Sequence, residues 1–393
     1  MQVSRWRRAA TVGWVAIAAL AVVYGPMAVE YTWRFFDPGA PRLWDRTFAA
    51  VVDHDEVYGA GSIHTVSGDE YADNRLTMLF HTTTGGIAIV LFAAQFSARL
   101  RRNLVRHRVV GRVAAGLALV GMAGAAAYLV AVGPDDTFDG PAFHVQLWAL
   151  AFGTATGTVL GVAAARRRQI AMHQALMAYA FALLLTAPLL RVGYLVLGNA
   201  WPDATQLETN LAGAAFLGTW APFGAFLAAR AQDRRRRRSS GIPALPGRRL
   251  DVGVLLLAAA AAPVLVARHG ATIDGPDRVT VTGLVGALVA LAVAVANLVG
   301  ARRAGAEVAA EEWRVACLGL VATAPTAVVT GALLDLPFSD ADAWFATLLT
   351  APAIALSLGF LLVVWRRRTI RNPRAQGAAL EPVPAPSASV LPD

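Results

Sequence analysis

The sequence contains no lysine and a single cysteine, Cys317, which lies in an apolar stretch. With one cysteine the chain can form neither an internal disulfide nor a CxxC redox motif, and it cannot attach a c-type haem covalently. All 35 basic residues are arginine, which we interpret as typical of a GC-rich bacterial genome. Arginine therefore gives little evidence of phosphate recognition in this chain.

Charged residues are also scarce: they make up 16% of the chain, whereas 56% of its residues are hydrophobic. A soluble domain carries about 25% charged residues. Here the apolar residues form unbroken blocks of roughly 18 to 25 residues, the length of helix that crosses about 30 Å of hydrocarbon. The composition excludes a soluble enzyme and predicts an all-α, polytopic integral membrane protein.

Alternating arginine-rich and aspartate-bearing loops orient these blocks. With ten spans, every arginine cluster falls on one side, which the positive-inside rule predicts to be cytoplasmic. Both termini are then cytoplasmic, the first block is an uncleaved signal anchor, and the chain lies in a bacterial cell membrane. The predicted spans are 11–33, 76–98, 109–132, 143–165, 171–197, 208–229, 250–267, 279–299, 313–335 and 342–365.

A run of five arginines, Arg234 to Arg238, predicts a joint between two membrane portions. Since the net charge of +9 comes from arginines beside apolar blocks, we expect the lipid bilayer as a partner and no nucleic acid. The predicted domains are a six-span bundle over 1–230 with an extracytoplasmic loop at 36–75, a basic linker over 231–249, a four-span bundle over 250–366 and a disordered tail over 367–393.

Four histidines lie near the ends of predicted spans two to five: His81 and His144 on the outer side, His107 and His173 on the inner side. Facing helices of a bundle can offer neutral imidazoles to both axial positions of a haem iron. We therefore hypothesise that each pair ligates one haem b, with Arg191 beside an outer propionate. Two such layers would form an electron path to a membrane redox partner.

Other interpretations stay open. A histidine near a membrane boundary is tolerated for its amphipathic ring alone, and the protein is then a non-catalytic carrier or assembly partner. The outer loop 36–75 holds His54, His64 and several carboxylates, but their spacing matches no metal-ligand signature. Prolines such as Pro188, Pro222 and Pro325 are compatible with the broken helices of transporters. No catalytic residue is assigned, so enzymatic activity stays undecided.

Several polar positions occur in a recognisable order: His81 with Thr82 to Gly86, Arg106 to Arg112 around His107, and His173 followed by Met177. From about residue 76 to 197, this pattern resembles an uncharacterised family of predicted bacterial membrane proteins. A looser similarity, in helix order alone, is to the di-haem cytochrome b superfamily. That resemblance implies four central helices holding two bis-histidine haems and a role in electron transfer or oxidase maturation.

Overall fold

A computed structural model describes residues 2–233, 243–273, 275 and 277–369, with residues 2–10 described by their backbone alone. The predicted basic run Arg234 to Arg238 and the tail from 370 onward lie outside the described residues. The described chain is helical and contains no strand. The helices are α1 (Gln2–Tyr31), α2 (Leu43–Ala49), α3 (His54–Tyr58), α4 (Ile63–Val66), α5 (Gly68–Asp73), α6 (Arg75–Gln95), α7 (Ala98–Arg102), α8 (Leu104–Val132), α9 (Gly140–Arg166), α10 (Ile170–Leu184), α11 (Thr186–Ala200), α12 (Gln206–Gln232), α13 (Arg248–Thr272), α14 (Arg278–Arg303), α15 (Glu307–Val321), α16 (Thr323–Leu334) and α17 (Asp340–Arg368).

The predicted membrane fold is confirmed. Among the described residues, nine segments are long and apolar enough to cross a bilayer, and the bent pair α15–α16 brings the number to ten. These ten correspond to the predicted spans, with α10 and α11 together forming the fifth. We call the end of the bundle that carries α2–α5 the cap side, and the opposite end, where the arginine clusters lie, the Arg side.

Two spans are interrupted, and proline explains both interruptions. Pro188 has no N–H for the carbonyl of Leu184, and α10 ends there, before α11 begins at Thr186. In the same way Pro325 follows the break between α15 and α16, where the chain bends by 41°. By contrast, Pro222, like Pro263 and Pro352, lies inside a continuous helix.

The segment 36–75 forms a helical cap docked on the spans. The Arg34 side chain reaches the buried Asp45 carboxylate at 2.6 Å, and the Ile63 N–H donates to Oε1 of Gln206 at 2.9 Å. Burial alone would raise the pKa of Asp45, but hydrogen bonds from His64 and Arg34 hold this pKa below its ordinary value. The cap is therefore an ordered part of the bundle.

Helix α12 is the centre of the bundle. In its most apolar window 67% of the residues are buried, against 6% for α13, which lies at the edge. Small residues allow other helices to approach α12 closely, since membrane helices associate through tight packing. At Gly218, for example, an added Cβ would overlap the backbone carbonyl of Leu349 on α17.

The two predicted portions share one core. The largest apolar cluster joins Leu176 and Phe226 of the first portion to Trp313 and Phe360 of the second. Helix α17 packs against α9, α10 and α12, so the second portion is not a separate bundle. The domain boundaries stay a prediction. A linker between the two portions would divide the sequence, but the helices on either side of it pack into one core.

A buried charge cluster closes this shared core on the Arg side. Glu312 of α15 is 1% exposed and accepts from Arg230 of α12 at 2.7 Å. It also accepts from Arg366 at 2.5 Å and from Arg367 at 3.0 Å, and both arginines are buried on α17. One carboxylate thus holds three helices together.

The Glu312→Gln variant tests this role. The amide keeps the shape of the side chain but removes the negative charge, which leaves Arg366 with Glu311 alone and Arg230 and Arg367 with Asp233 alone. Breaking a buried pair completely costs about 3 to 5 kcal/mol. Because these second partners remain, we expect a loss of up to that size in unfolding titrations of the purified protein with dodecyl sulfate. Glu307→Gln, at an exposed position on the same helix, is the control, and an equal effect of the two variants would contradict the prediction.

Candidate functional site

Two groups of polar side chains lie within the first six spans. The cap-side polar cluster consists of Tyr24, Tyr31, Tyr71, His81, Asp139, Arg191, Tyr194 and Asn210. The Arg-side polar cluster consists of Gln95, His107 and His173.

His81 is held in a fixed orientation in the second turn of α6. Its Nδ1 atom lies 2.9 Å from the backbone oxygen of Gly121 on α8. The two helices are very close at this point, because a Cβ added to Gly124 would lie 2.9 Å from the backbone nitrogen of His81. The Nε2 atom has no hydrogen-bond partner among the described residues and is not enclosed by protein. The imidazole therefore has one anchored nitrogen and one free nitrogen.

Arg191 lies beside this imidazole, near the start of α11. Its guanidinium lies within electrostatic range of Tyr24 and Tyr31 of α1, of Tyr71 of the cap, and of His81. The guanidinium carbon also lies 5.5 Å from the ring centre of Tyr194, in cation–π range. No carboxylate pairs with Arg191 among the described residues. Arg191 thus keeps its positive charge, with the ring of Tyr194 in cation–π range.

A hydrogen-bonded chain leads from Tyr194 to the cap-side surface. The Tyr194 hydroxyl donates to Oδ1 of Asn210, and the amide of Asn210 donates to Oδ2 of Asp139. Asp139 precedes α9 in the left-handed region, at φ 61°, and its Oδ1 is buried without a partner. Burial raises the pKa of this carboxyl well above its ordinary value, against the opposing hydrogen bond from Asn210.

The Arg-side polar cluster repeats part of this geometry. The Nδ1 atom of His173 lies 2.9 Å from the backbone oxygen of Gly161 on α9, and its Nε2 is free. His107 of α8 lies within electrostatic range of His173, and its Nδ1 is buried without a partner. Nε2 of Gln95 is likewise buried and unpaired. Three unsatisfied polar atoms therefore lie near the Arg-side membrane boundary.

His144 has a different environment from that expected. Its Nδ1 is bonded to the Thr137 hydroxyl at 2.8 Å, and its Nε2 accepts from the indole of Trp148 at 3.0 Å. Helix α6 packs against α1 and α8, whereas α9 packs against α8, α10 and α17. The structure does not bring His81 and His144 together, because α8 lies between their helices and both nitrogens of His144 are already bonded.

The loop 36–75 contains the other histidines considered as metal ligands, and of these His64 lies 3.3 Å from Asp45 in the cap. The part of the chain that is described contains no group of three metal-binding side chains.

Sequence reasoning missed the tyrosines of the cap-side polar cluster, Asn210 and the role of Asp139. One signal was available: Tyr24 and Tyr31 are seven residues apart and Arg191 and Tyr194 three apart, so each pair shares a helix face.

Comparison with known proteins adds one finding. Residues 78–222 match the model of a family described as predicted membrane protein (DUF2306). This segment is similar to a membrane domain of unknown function. It covers just over a third of the chain and contains all four candidate histidines and Arg191, which supports the resemblance to an uncharacterised membrane family. No curated protein and no solved structure matches the chain.

The raised pKa of Asp139 predicts a pH-dependent stability. Protonation of Asp139 contributes to the stability of the folded state, and this contribution is complete at pH values below the ordinary aspartate pKa of about 3.9. It is lost as the pH rises through the raised pKa of the folded state. Asp139→Asn stays neutral, and asparagine tolerates a positive φ. We expect the stability of the wild type to fall relative to this variant as the pH rises above about 4.

Thermal unfolding in detergent at increasing pH measures this difference in stability between the wild type and Asp139→Asn. Asp136→Asn, which removes an exposed carboxylate in the same loop, should follow the wild type. A difference between wild type and Asp139→Asn that is independent of pH would show that Asp139 is ionised in the folded protein.

Proposed function

We propose that this chain is a haem-binding membrane protein with a role in electron transfer, and that the cap-side polar cluster holds haem b. In this proposal Nε2 of His81 is an axial ligand and Arg191 binds a propionate. The proposal rests on one observation: Nε2 of His81 has no hydrogen bond, and the nearby guanidinium of Arg191 has no anionic partner among the described residues. A membrane protein that contains such a pair is suited to a ligand with both a metal and a carboxylate.

The anchoring of His81 supports the first half of the proposal. Histidines that bind metals usually donate the other ring N–H to a backbone carbonyl or a carboxylate, which fixes the tautomer and makes the ligating nitrogen more basic. The backbone oxygen of Gly121 is in that position for His81. The same contact from Gly161 to His173 leads us to include a second site, in which His173 and His107 ligate a haem on the Arg side.

The surroundings of Arg191 support the second half. Ring faces and hydroxyls stabilise a cation without cancelling its charge, so the guanidinium can form a charge-assisted pair with a propionate. With His144 bonded to Thr137 and Trp148, we no longer include it as a ligand. The cap-side iron would then have one axial position without a histidine from the predicted pair.

A second candidate function is transport of a small organic anion. It is favoured by the break at Leu185, which places Arg191 on a short helix that starts inside the membrane. Broken helices with charged groups near the break form the binding sites of many secondary transporters. The neutral form of Asp139 favoured by burial would leave Arg191 as the charged group of the cap-side cluster.

Absorption spectroscopy separates the two candidates. The full chain, purified in detergent from haem-supplemented cells, should show a Soret band and a dithionite-induced α band. His81→Ala should lose one equivalent of haem. Arg191→Gln should retain the spectrum but bind haem about tenfold more weakly, because one charge-assisted hydrogen bond is worth about 1.5 to 3 kcal/mol.

His144→Ala is the matched control, and it should retain the haem content of the wild type. If His144→Ala and His81→Ala lose haem equally, the exclusion of His144 as a cap-side ligand is wrong, and if only His144→Ala loses haem, the assignment of His81 is wrong. A colourless wild type would overturn the haem proposal as a whole. In that case, uptake of an organic anion by vesicles that depends on Arg191 would support the carrier.

A further inference from the structure

A groove between α8 and α9 opens on the membrane surface at the Arg side. Its volume is about 650 Å³. The walls are apolar and consist of side chains of alanine, leucine and valine, together with Gly116. Three arginines lie at the membrane boundary: Arg112 of α8, Arg166 at the end of α9, and Arg167 directly after it. None of the lining residues belongs to the cap-side or the Arg-side polar cluster.

The three arginines are free to bind an anion. All three are exposed, and none of their guanidinium groups has a hydrogen-bond or ion-pair partner among the residues that the structure describes. Guanidinium groups donate in a planar fork that matches the oxygens of a phosphate. Arg166 and Arg167 lie at the Arg-side end of α9, where we expect the phosphates of the Arg-side leaflet. Below them, the apolar groove is exposed to the hydrocarbon of the bilayer.

We infer that this groove binds one anionic phospholipid of the Arg-side leaflet, with the phosphate on Arg112, Arg166 and Arg167 and an acyl chain along the apolar walls. Basic pockets between transmembrane helices on this side bind acidic headgroups through the same combination of charge and depth. A neutral, zwitterionic lipid offers the same acyl chain but no net negative charge, so it should bind more weakly.

Gly116 provides a way to block the acyl chain without removing charge. A Cβ added at Gly116 meets no atom within 4 Å, and Gly116 lines the groove, so we expect a larger side chain to extend into the open groove. Gly116→Leu should therefore close the groove while the fold is kept. Gly253 of α13 also has nothing within 4 Å of an added Cβ, and Gly253→Leu is the matched control at the edge of the bundle.

Native mass spectrometry of the full chain in detergent tests the proposal, with equal amounts of phosphatidylglycerol and phosphatidylcholine. The wild type should retain one phosphatidylglycerol with a preference of about tenfold. The preference should disappear in the triple variant Arg112→Gln, Arg166→Gln, Arg167→Gln. It should persist in the triple variant Arg99→Gln, Arg101→Gln, Arg102→Gln, which removes the same number of charges from exposed positions on α7.

Gly116→Leu should lose the retained lipid, and Gly253→Leu should keep it. Inorganic phosphate at millimolar concentration should not displace the lipid, because phosphate lacks an acyl chain. The proposal is overturned if both triple variants lose the preference equally, which would indicate general attraction to a basic surface. It is also overturned if Gly116→Leu binds normally while phosphate competes, since the arginines would then form an anion site without a lipid groove.

Discussion

The constraint on which the whole structure depends is that hydrocarbon offers no hydrogen bonds, so polar groups within the spans must find partners inside the protein. Most do. The Gln146 amide donates to the Ala214 carbonyl on α12 at 2.9 Å, and the Asn297 amide donates to its own helix at Val293. Some single atoms do not, among them Oε1 of the same Gln146 and the hydroxyls of Thr158 and Thr219. The cap-side polar cluster differs from these because it combines a free metal-ligating nitrogen, Nε2 of His81, with an unpaired cation, Arg191.

The same constraint explains how the two portions of the chain combine. Helices in a bilayer gain little from hydrophobic burial, so they associate through close packing and through polar contacts between helices. Helix α12 provides both, because Gly218 allows contact with the backbone of α17 and Arg230 reaches Glu312 on α15. The arginines at the end of α17 therefore do more than orient the span, since Arg366 is completely buried in this network.

Hydropathy and charge predicted the spans well, because both depend on runs of consecutive residues. The apolar blocks, the alternation of arginine clusters and the break at Pro188 all follow from short segments. Pairing between distant segments is different: Asn210 meets Asp139 across 71 positions in the sequence. Neither residue is unusual in its own segment. For the same reason the positions of His81 and His144 near the cap-side ends of their helices could be predicted, but the position of α8 between those helices could not.

The choice of residues around Arg191 supports binding of an anion over a purely structural role. A structural arginine in a membrane is generally neutralised by a carboxylate, as Arg230 is by Glu312. Arg191 instead has the Tyr194 ring in cation–π range and three further tyrosines within electrostatic range. The acid of the hydrogen-bonded chain, Asp139, is shifted by burial towards its neutral form. Rings lower the cost of burying the cation but leave its charge available. The guanidinium is thus stabilised while its charge stays available to the anionic group that we propose as its ligand.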